Sequence, residues 1–87
     1  MKGKYMTREQ IVAAFADILN EVADVEPADV TEGKSLGDEL DVDSLAMVEI
    51  IVAVEERFGV ELPEEELKEL RLVADVVGRI EKQLAPA

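Results

Sequence analysis

The sequence predicts an all-α fold of three or four helices around one core, with a long loop between the first two. We expect a small four-helix bundle with three main helices and a short third helix. Two segments, 11–22 and 47–58, place their apolar residues at the spacing of one helix face. No segment alternates apolar and polar residues with the period of a half-buried strand. Residues 23–43 follow neither period, which is unusual in a compact domain and often functional. The 87 residues suffice for a single domain, 1–87, with flexible ends at 1–6 and 85–87.

The first helix is predicted to begin after residue 7. Thr7 with Gln10 three positions later forms the pattern of a capping box, in which each side chain satisfies the other residue's backbone N–H. Met6 stands where a hydrophobic staple onto Ile11 is expected. The apolar face of this helix consists of Ile11, Val12, Phe15, Ile18, Leu19 and Val22.

The loop that follows contains the turn formers Pro27, Gly33 and Gly37. Its apolar residues are isolated from one another rather than periodic. They are Val25, Val30, Leu36 and Leu40. This pattern predicts a loop that is pinned onto the core.

The second helix is predicted from Ser44 to Phe58, because Asp43 is a good N-cap and Gly59 a natural residue just past the end. One arc of its helical wheel holds the core candidates Met47, Ile50, Ile51, Val54 and Phe58. A further helix start is indicated by Pro63 and the three glutamates after it. The apolar pattern then permits one helix over 64–84, or two helices with a break near 71–72.

Composition excludes several classes of site. The chain has no cysteine and no histidine, which removes disulfides, thiolate metal sites and the commonest general base at neutral pH. Its 21 acidic and 9 basic residues give a net charge of −12, which disfavours nucleic acid and anionic lipid and favours a basic protein partner. Its apolar stretches, such as 11–16 and 50–54, are too short for membrane insertion, and the N-terminus lacks the apolar run of a secretory signal. We expect a soluble cytoplasmic protein, and a monomer.

The negative charge is concentrated in the middle of the chain. Residues 35–69 hold twelve acidic and two basic residues, a net of −10. Within this segment, a second stripe on the second helix combines aliphatic and acidic side chains: Leu45, Glu49, Val52 and Glu56. The stripe has two interpretations at this point. It is an ordinary solvated helix face, or it is a docking face with apolar contact at its centre and charge that steers a basic partner.

Ser44 lies at the junction of the long loop and the second helix, and its surroundings are distinctive. The run Asp43-Ser44-Leu45, followed by Met47-Val48-Glu49, resembles the attachment motif of acyl carrier proteins. The resemblance continues in order through 34–40, 48–58, 62–66 and 73–77, and covers roughly 7–84. Two departures stand out. Asp41-Val42 replaces the Gly-Ala of many members, a variant most similar to the type II fatty-acid-synthase carriers of actinobacteria, and Leu72 replaces a threonine that commonly caps the last helix.

The resemblance implies that Ser44 carries 4′-phosphopantetheine, attached covalently from coenzyme A by a separate phosphopantetheinyl transferase, with Asp43 and Leu45 completing the motif. It further implies a carrier rather than an enzyme, which bears growing fatty-acyl chains as thioesters and presents them to fatty-acid synthase enzymes. Those enzymes are expected to dock their basic patches on Leu45, Glu49, Val52 and Glu56. An acyl chain that is partly buried needs apolar liners near the second and third helices. The candidates are Leu40, Leu45, Val48, Ile51, Leu62, Leu67 and Leu70.

Three alternatives remain beside this interpretation. A polyketide or other specialised acyl carrier shares the serine. An unmodified acidic protein-interaction module explains the charge, although not the position of Ser44. A calcium loop is suggested by Asp38, Asp41 and Asp43, but counted from Asp41 its sixth position is Ala46 rather than the required glycine. We therefore expect no specific metal site.

Overall fold

The computed structural model describes residues 6–84 and contains three α-helices and two short 3-10 segments. The α-helices are α1 (Arg8–Ala23), α2 (Ser44–Phe58) and α3 (Val73–Leu84). A 3-10 turn, Pro27–Asp29, lies in the long loop, and a 3-10 helix, Glu64–Glu69, precedes α3. The all-α architecture with a short third helix is confirmed, and 6–84 contain no strand. The ends that were predicted to be flexible lie outside the described residues, apart from Met6.

Helix α1 begins as its sequence predicts. The Gln10 N–H donates to Thr7 Oγ1 over 3.1 Å, and the Thr7 N–H donates to Gln10 Oε1 over 2.9 Å, so the capping box is formed. Met6 is half-buried and packs against the core. Because two backbone donors of the first turn are satisfied locally, the helix start does not depend on the rest of the fold.

The core lies between the three α-helices, and the long loop closes one side of it. Five loop residues are buried: Val25, Val30, Leu36, Leu40 and Val42. Phe15, Ile50 and Ile80, one from each α-helix, are completely buried in the same cluster. The prediction of a loop pinned onto the core is confirmed, since all four isolated apolar residues have left the solvent.

The break between the 3-10 helix and α3 falls at Leu70–Leu72, which decides between the two patterns that the sequence permits. The N–H groups of Val73 and Ala74 donate to the Lys34 and Glu32 carbonyls, at 2.9 and 3.0 Å. The Asp75 carboxylate accepts from the N–H groups of Arg71 and Leu72. These contacts provide acceptors for the backbone N–H groups at the start of α3, so the threonine hydroxyl that Leu72 replaces is not needed there. They also join the loop to α3.

Arg8 joins three segments of the chain. Its guanidinium donates to both carboxylate oxygens of Glu32 in the loop, at 2.6 to 3.0 Å, and to Glu81 on α3 at 2.6 Å. These hydrogen bonds raise the already high pKa of Arg8, and the bond from Arg8 lowers the pKa of Glu32 below its ordinary value. The Arg8–Glu32 pair therefore stabilises the fold at neutral pH, where both groups are ionised.

We expect Glu32→Gln to lower the unfolding temperature at neutral pH. Since the pKa of Glu32 is lower in the folded chain than in the unfolded one, its contribution is present above the ordinary carboxyl pKa. It is lost as the pH falls through the folded-state pKa. Thermal unfolding followed by circular dichroism at neutral and acidic pH measures this. Glu26→Gln is the matched control, because Glu26 is exposed and forms no ion pair within 6–84. A midpoint difference between the two variants that persists in acid would contradict this account.

Candidate functional site

Ser44 is the first residue of α2 and is exposed to solvent. The preceding Asp43 caps the helix, with its Oδ1 accepting from the Ala46 N–H at 2.8 Å. Asp41 has a φ of 60°, in the left-handed region that favours glycine and that aspartate tolerates better than most residues. Asp41 stands where many members of the family have glycine, and its left-handed backbone conformation explains why glycine is favoured at this position. The sharp turn there presents Ser44 at the tip of the loop–helix junction.

The hydroxyl of Ser44 is free of hydrogen bonds to any residue of 6–84, whereas the hydroxyl of Ser35 is engaged. Ser35 Oγ accepts from the Glu39 N–H at 3.0 Å, and the Glu39 carboxylate accepts from the Ser35 N–H at 2.8 Å. These two are the only serines in the chain. One is therefore held in a turn, while the other offers an accessible hydroxyl to a modifying enzyme.

A cleft of about 520 Å³, which we call the Ser44 cleft, lies beside this hydroxyl. Three stretches of chain line it: the loop at 35–38 and 42–43, the start of α2 at Ser44 and Met47, and residues between 70 and 75. Backbone contacts join the loop stretch to the stretch between 70 and 75. The Leu36 N–H donates to the Arg71 carbonyl at 2.8 Å, and Ser35 forms an isolated bridge with Leu72. The cleft therefore depends on the same contacts that begin α3.

The stripe that the sequence indicated is accessible along its whole length. Leu45 is 72 % exposed and Val52 48 %, and Glu49 and Glu56 are both exposed. Within 6–84 neither glutamate forms an ion pair, so their charge faces solvent uncompensated. The structure thus places these four residues together on the free face of α2, beginning next to Ser44. We propose that partner enzymes dock on these four residues, and we call them the docking stripe.

A second cavity, of about 260 Å³, lies between α2 and the 3-10 helix, and we call it the α2 cavity. It brings together four of the candidate acyl-chain liners, Val48, Ile51, Leu62 and Leu67, with Val52 and Pro63 beside them. The other candidates lie elsewhere. Leu70 lines the Ser44 cleft, Leu40 is buried in the core, and Leu45 lies exposed on the docking stripe.

Sequence reasoning missed the part of the Ser44 cleft formed by Arg71, Leu72 and Asp75. The backbone pairing of residues 34–36 with 71–73 brings it to Ser44, and such pairing through peptide groups has no side-chain signature. The nearest signal was that the apolar pattern permits a break between two helices near 71–72. Such a break allows a change of direction without saying what the break faces.

Among residues 6–84, no helix combines the length and apolar character needed to span a membrane. Nor do the described residues bring three potential metal-ligating side chains together in one group.

A family model, related sequences and a solved structure all identify the same family. The family described as "Phosphopantetheine attachment site" matches residues 9–84. The chain is 51 % identical over 76 residues to the meromycolate extension acyl carrier protein of Mycolicibacterium smegmatis, covering 87 % of this chain and 77 % of that protein. It is 49 % identical to the acyl carrier protein of Acidothermus cellulolyticus, with coverages of 86 % and 89 %. The crystal structure of an acyl carrier protein from Thermotoga maritima superposes with a TM-score of 0.78 at 25 % identity, over 88 % of this chain and 89 % of that one.

Proposed function

The chain belongs to the acyl carrier protein family, whose members carry 4′-phosphopantetheine, and on that premise we propose that Ser44 is the residue to which this group is attached. The observation that carries the proposal is the exposed, unbonded hydroxyl of Ser44 at the start of α2, beside a cleft of about 520 Å³. The rest of the motif supports it, because Asp43 fixes the helix start and Leu45 stands exposed next to the hydroxyl.

The attached group supplies a thiol, which this chain lacks because it has no cysteine. We propose that fatty-acyl chains are carried on that thiol as thioesters and presented to separate synthase enzymes. The chain then serves as the substrate of other enzymes, including the transferase that modifies it, and functions in the cytoplasm. The fatty-acyl assignment rests on relatives named for meromycolate extension, and a polyketide or other specialised carrier is the second candidate.

Mass spectrometry tests the attachment. The purified chain is incubated with coenzyme A and a transferase of broad specificity, and its intact mass is compared with that of the untreated chain. A single phosphopantetheinyl addition that peptide mapping assigns to 44 is expected. An unchanged mass would favour the unmodified acidic interaction module instead.

We further propose that the acyl chain enters the α2 cavity. Val48, Ile51, Leu62 and Leu67 line it, and it adjoins the helix that begins at Ser44. Burying apolar surface is favourable by about 0.8 kcal/mol per CH₂ group, so even three methylene groups inside would contribute about 2 kcal/mol. The remaining candidates lie outside this cavity: Leu40 and Leu70 are both buried in the core, and Leu70 also lines the Ser44 cleft.

Acylation is therefore expected to raise the unfolding temperature above that of the form with the free thiol, by on the order of 10 °C for a domain of this size. Differential scanning calorimetry on both forms measures the shift. Val48→Thr, which places a hydroxyl at the cavity, should reduce it. Val12→Thr, at a half-buried position on α1, should leave it intact. Equal midpoints for the acylated and unacylated forms would refute burial of the chain.

A further inference from the structure

Arg71 is a cationic side chain placed at the Ser44 cleft. It lies between the 3-10 helix and α3, and its backbone is held at both ends: the N–H donates to Asp75, and the carbonyl accepts from the Leu36 N–H. The residue is exposed and lines the same cleft as Ser44. The peptide groups of Arg71 are thus fixed by the fold, while its guanidinium is available to bind another group at the cleft.

Arg71 differs from the other arginines in having no carboxylate partner among the residues that the structure describes. Arg8 pairs with Glu32 and Glu81, Arg57 with Asp17, and Arg79 with two glutamates of the 3-10 helix. Within residues 6–84 the guanidinium of Arg71 forms neither an ion pair nor a hydrogen bond. Because acidic residues outnumber basic residues by 21 to 9 in this chain, an arginine without a carboxylate partner is unexpected.

The cleft itself is otherwise acidic. Asp38, Asp43 and Asp75 line it, and among residues 6–84 Arg71 is the only basic residue that does so. Two of these carboxylates are already engaged by backbone N–H groups, Asp43 with Ala46 and Asp75 with Arg71 and Leu72. An anionic group attached at Ser44 would be repelled by the aspartates and attracted by Arg71 and by the backbone N–H groups at the start of α2.

We propose that Arg71 is a positioning residue that holds the phosphodiester of the group attached to Ser44, and so directs that arm along the Ser44 cleft. This inference rests on the proposed attachment at Ser44. A guanidinium suits the task because its planar array of donors matches phosphate oxygens and stays charged at every accessible pH. Arg71 donates hydrogen bonds and takes no part in any bond-forming step.

Paramagnetic relaxation tests the inference directly. Because the chain has no cysteine, a thiol-reactive nitroxide labels only the end of the attached arm. Its effect on the amide resonances of Gly37 and Leu72, which line the cleft, then reports how often the arm lies there. The variants are Arg71→Gln, Arg71→Lys and the matched control Lys68→Gln. Lys68 is exposed, lies outside the cleft and loses the same charge on substitution.

We expect Arg71→Gln to reduce the relaxation enhancement at these amides roughly two- to fivefold, the range typical of an exposed ion pair. Arg71→Lys should retain more of it because the charge remains, and Lys68→Gln should match the wild type. Raising the salt to about 1 M, where the screening length is about 3 Å, should bring the wild type towards Arg71→Gln. Equal enhancement in Arg71→Gln and Lys68→Gln, with Ser44 modified in both, overturns the role of Arg71 alone. Failure of Ser44 to be modified overturns the proposed function and this inference with it.

Discussion

Ser44→Ala should leave the chain entirely unmodified after incubation with coenzyme A and a transferase, although the variant folds normally. The loss is expected to be complete because the substitution removes the only atom to which the phosphate can be joined at this position. Ser44 Oγ forms no hydrogen bond within 6–84, and alanine is a good helix former at the start of α2. We therefore expect the free energy of unfolding to change by no more than about 0.5 kcal/mol. Intact mass and chemical denaturation measure the two quantities separately.

Ser35→Ala is the matched control and should behave in the opposite way. It removes the hydroxyl that accepts from the Glu39 N–H, so it should cost about 1 kcal/mol of stability. Ser35 lines the Ser44 cleft, but the substitution leaves Ser44 and the start of α2 in place, so modification at Ser44 should proceed as in the wild type. Modification that persists in Ser44→Ala, or that disappears in Ser35→Ala while the fold is retained, would remove the basis for assigning the attachment to Ser44.

The helix boundaries that were predictable from sequence are those set by neighbouring residues. The capping box of Thr7 and Gln10, the Asp43 cap and the left-handed Gly59 that ends α2 all involve residues within four positions of one another. Such contacts form wherever the local sequence permits them, which is why both helices begin and end where the pattern indicates.

The start of α3 depends instead on residues about forty positions away. The carbonyls of Glu32 and Lys34 accept from its first N–H groups, and no sequence pattern links those loop residues to 73–74. The apolar pattern over 64–84 was therefore compatible with one helix or two. The same distant pairing forms the Ser44 cleft, so Arg71 and Leu72 could not be assigned to the site before the fold was known.

The candidate acyl-chain liners lie in different parts of the structure for a related reason. Val48 and Ile51 share one side of α2, and Leu62 and Leu67 follow soon after it in the chain, so proximity in sequence was enough to group them. Leu40 and Leu70 have the same apolar character, but the loop carries Leu40 into the core and the break before α3 turns Leu70 towards the Ser44 cleft. Hydrophobicity alone does not distinguish a residue that fills the core from one that lines a cavity.

Reversing charge on the docking stripe should slow acyl transfer to a synthase enzyme by about tenfold or more at low salt. A partner must reach the carrier near Ser44, since the arm is tethered there, and Glu49 and Glu56 lie exposed on the same helix. Their charge is unpaired within 6–84, so it acts on an approaching basic surface at full strength. Electrostatic steering of this kind changes association rates by ten- to a thousandfold and weakens steeply as salt is added. We propose Glu49→Lys and Glu56→Lys as the test variants.

Neither substitution is expected to destabilise the carrier. Glutamate and lysine have similar helix propensities, and a lysine at 56 lies near the end of α2, where the helix dipole favours positive charge. Glu55 is left unchanged because its carboxylate accepts from the Leu62 N–H beside the α2 cavity. A reduced transfer rate can then be attributed to docking rather than to unfolding.

Glu21→Lys is the matched control, because Glu21 is an exposed glutamate on α1 that also forms no ion pair within 6–84. All three variants change the net charge equally, so the control separates a local docking effect from a general one. Transfer rates are measured at about 0.05 M and about 1 M salt, where the screening lengths are roughly 14 Å and 3 Å. Glu49→Lys and Glu56→Lys should be slow at low salt and approach the wild type at high salt, while Glu21→Lys stays close to the wild type throughout. If Glu21→Lys slows transfer as much as the other two, net charge governs association and the stripe on α2 is not the docking surface.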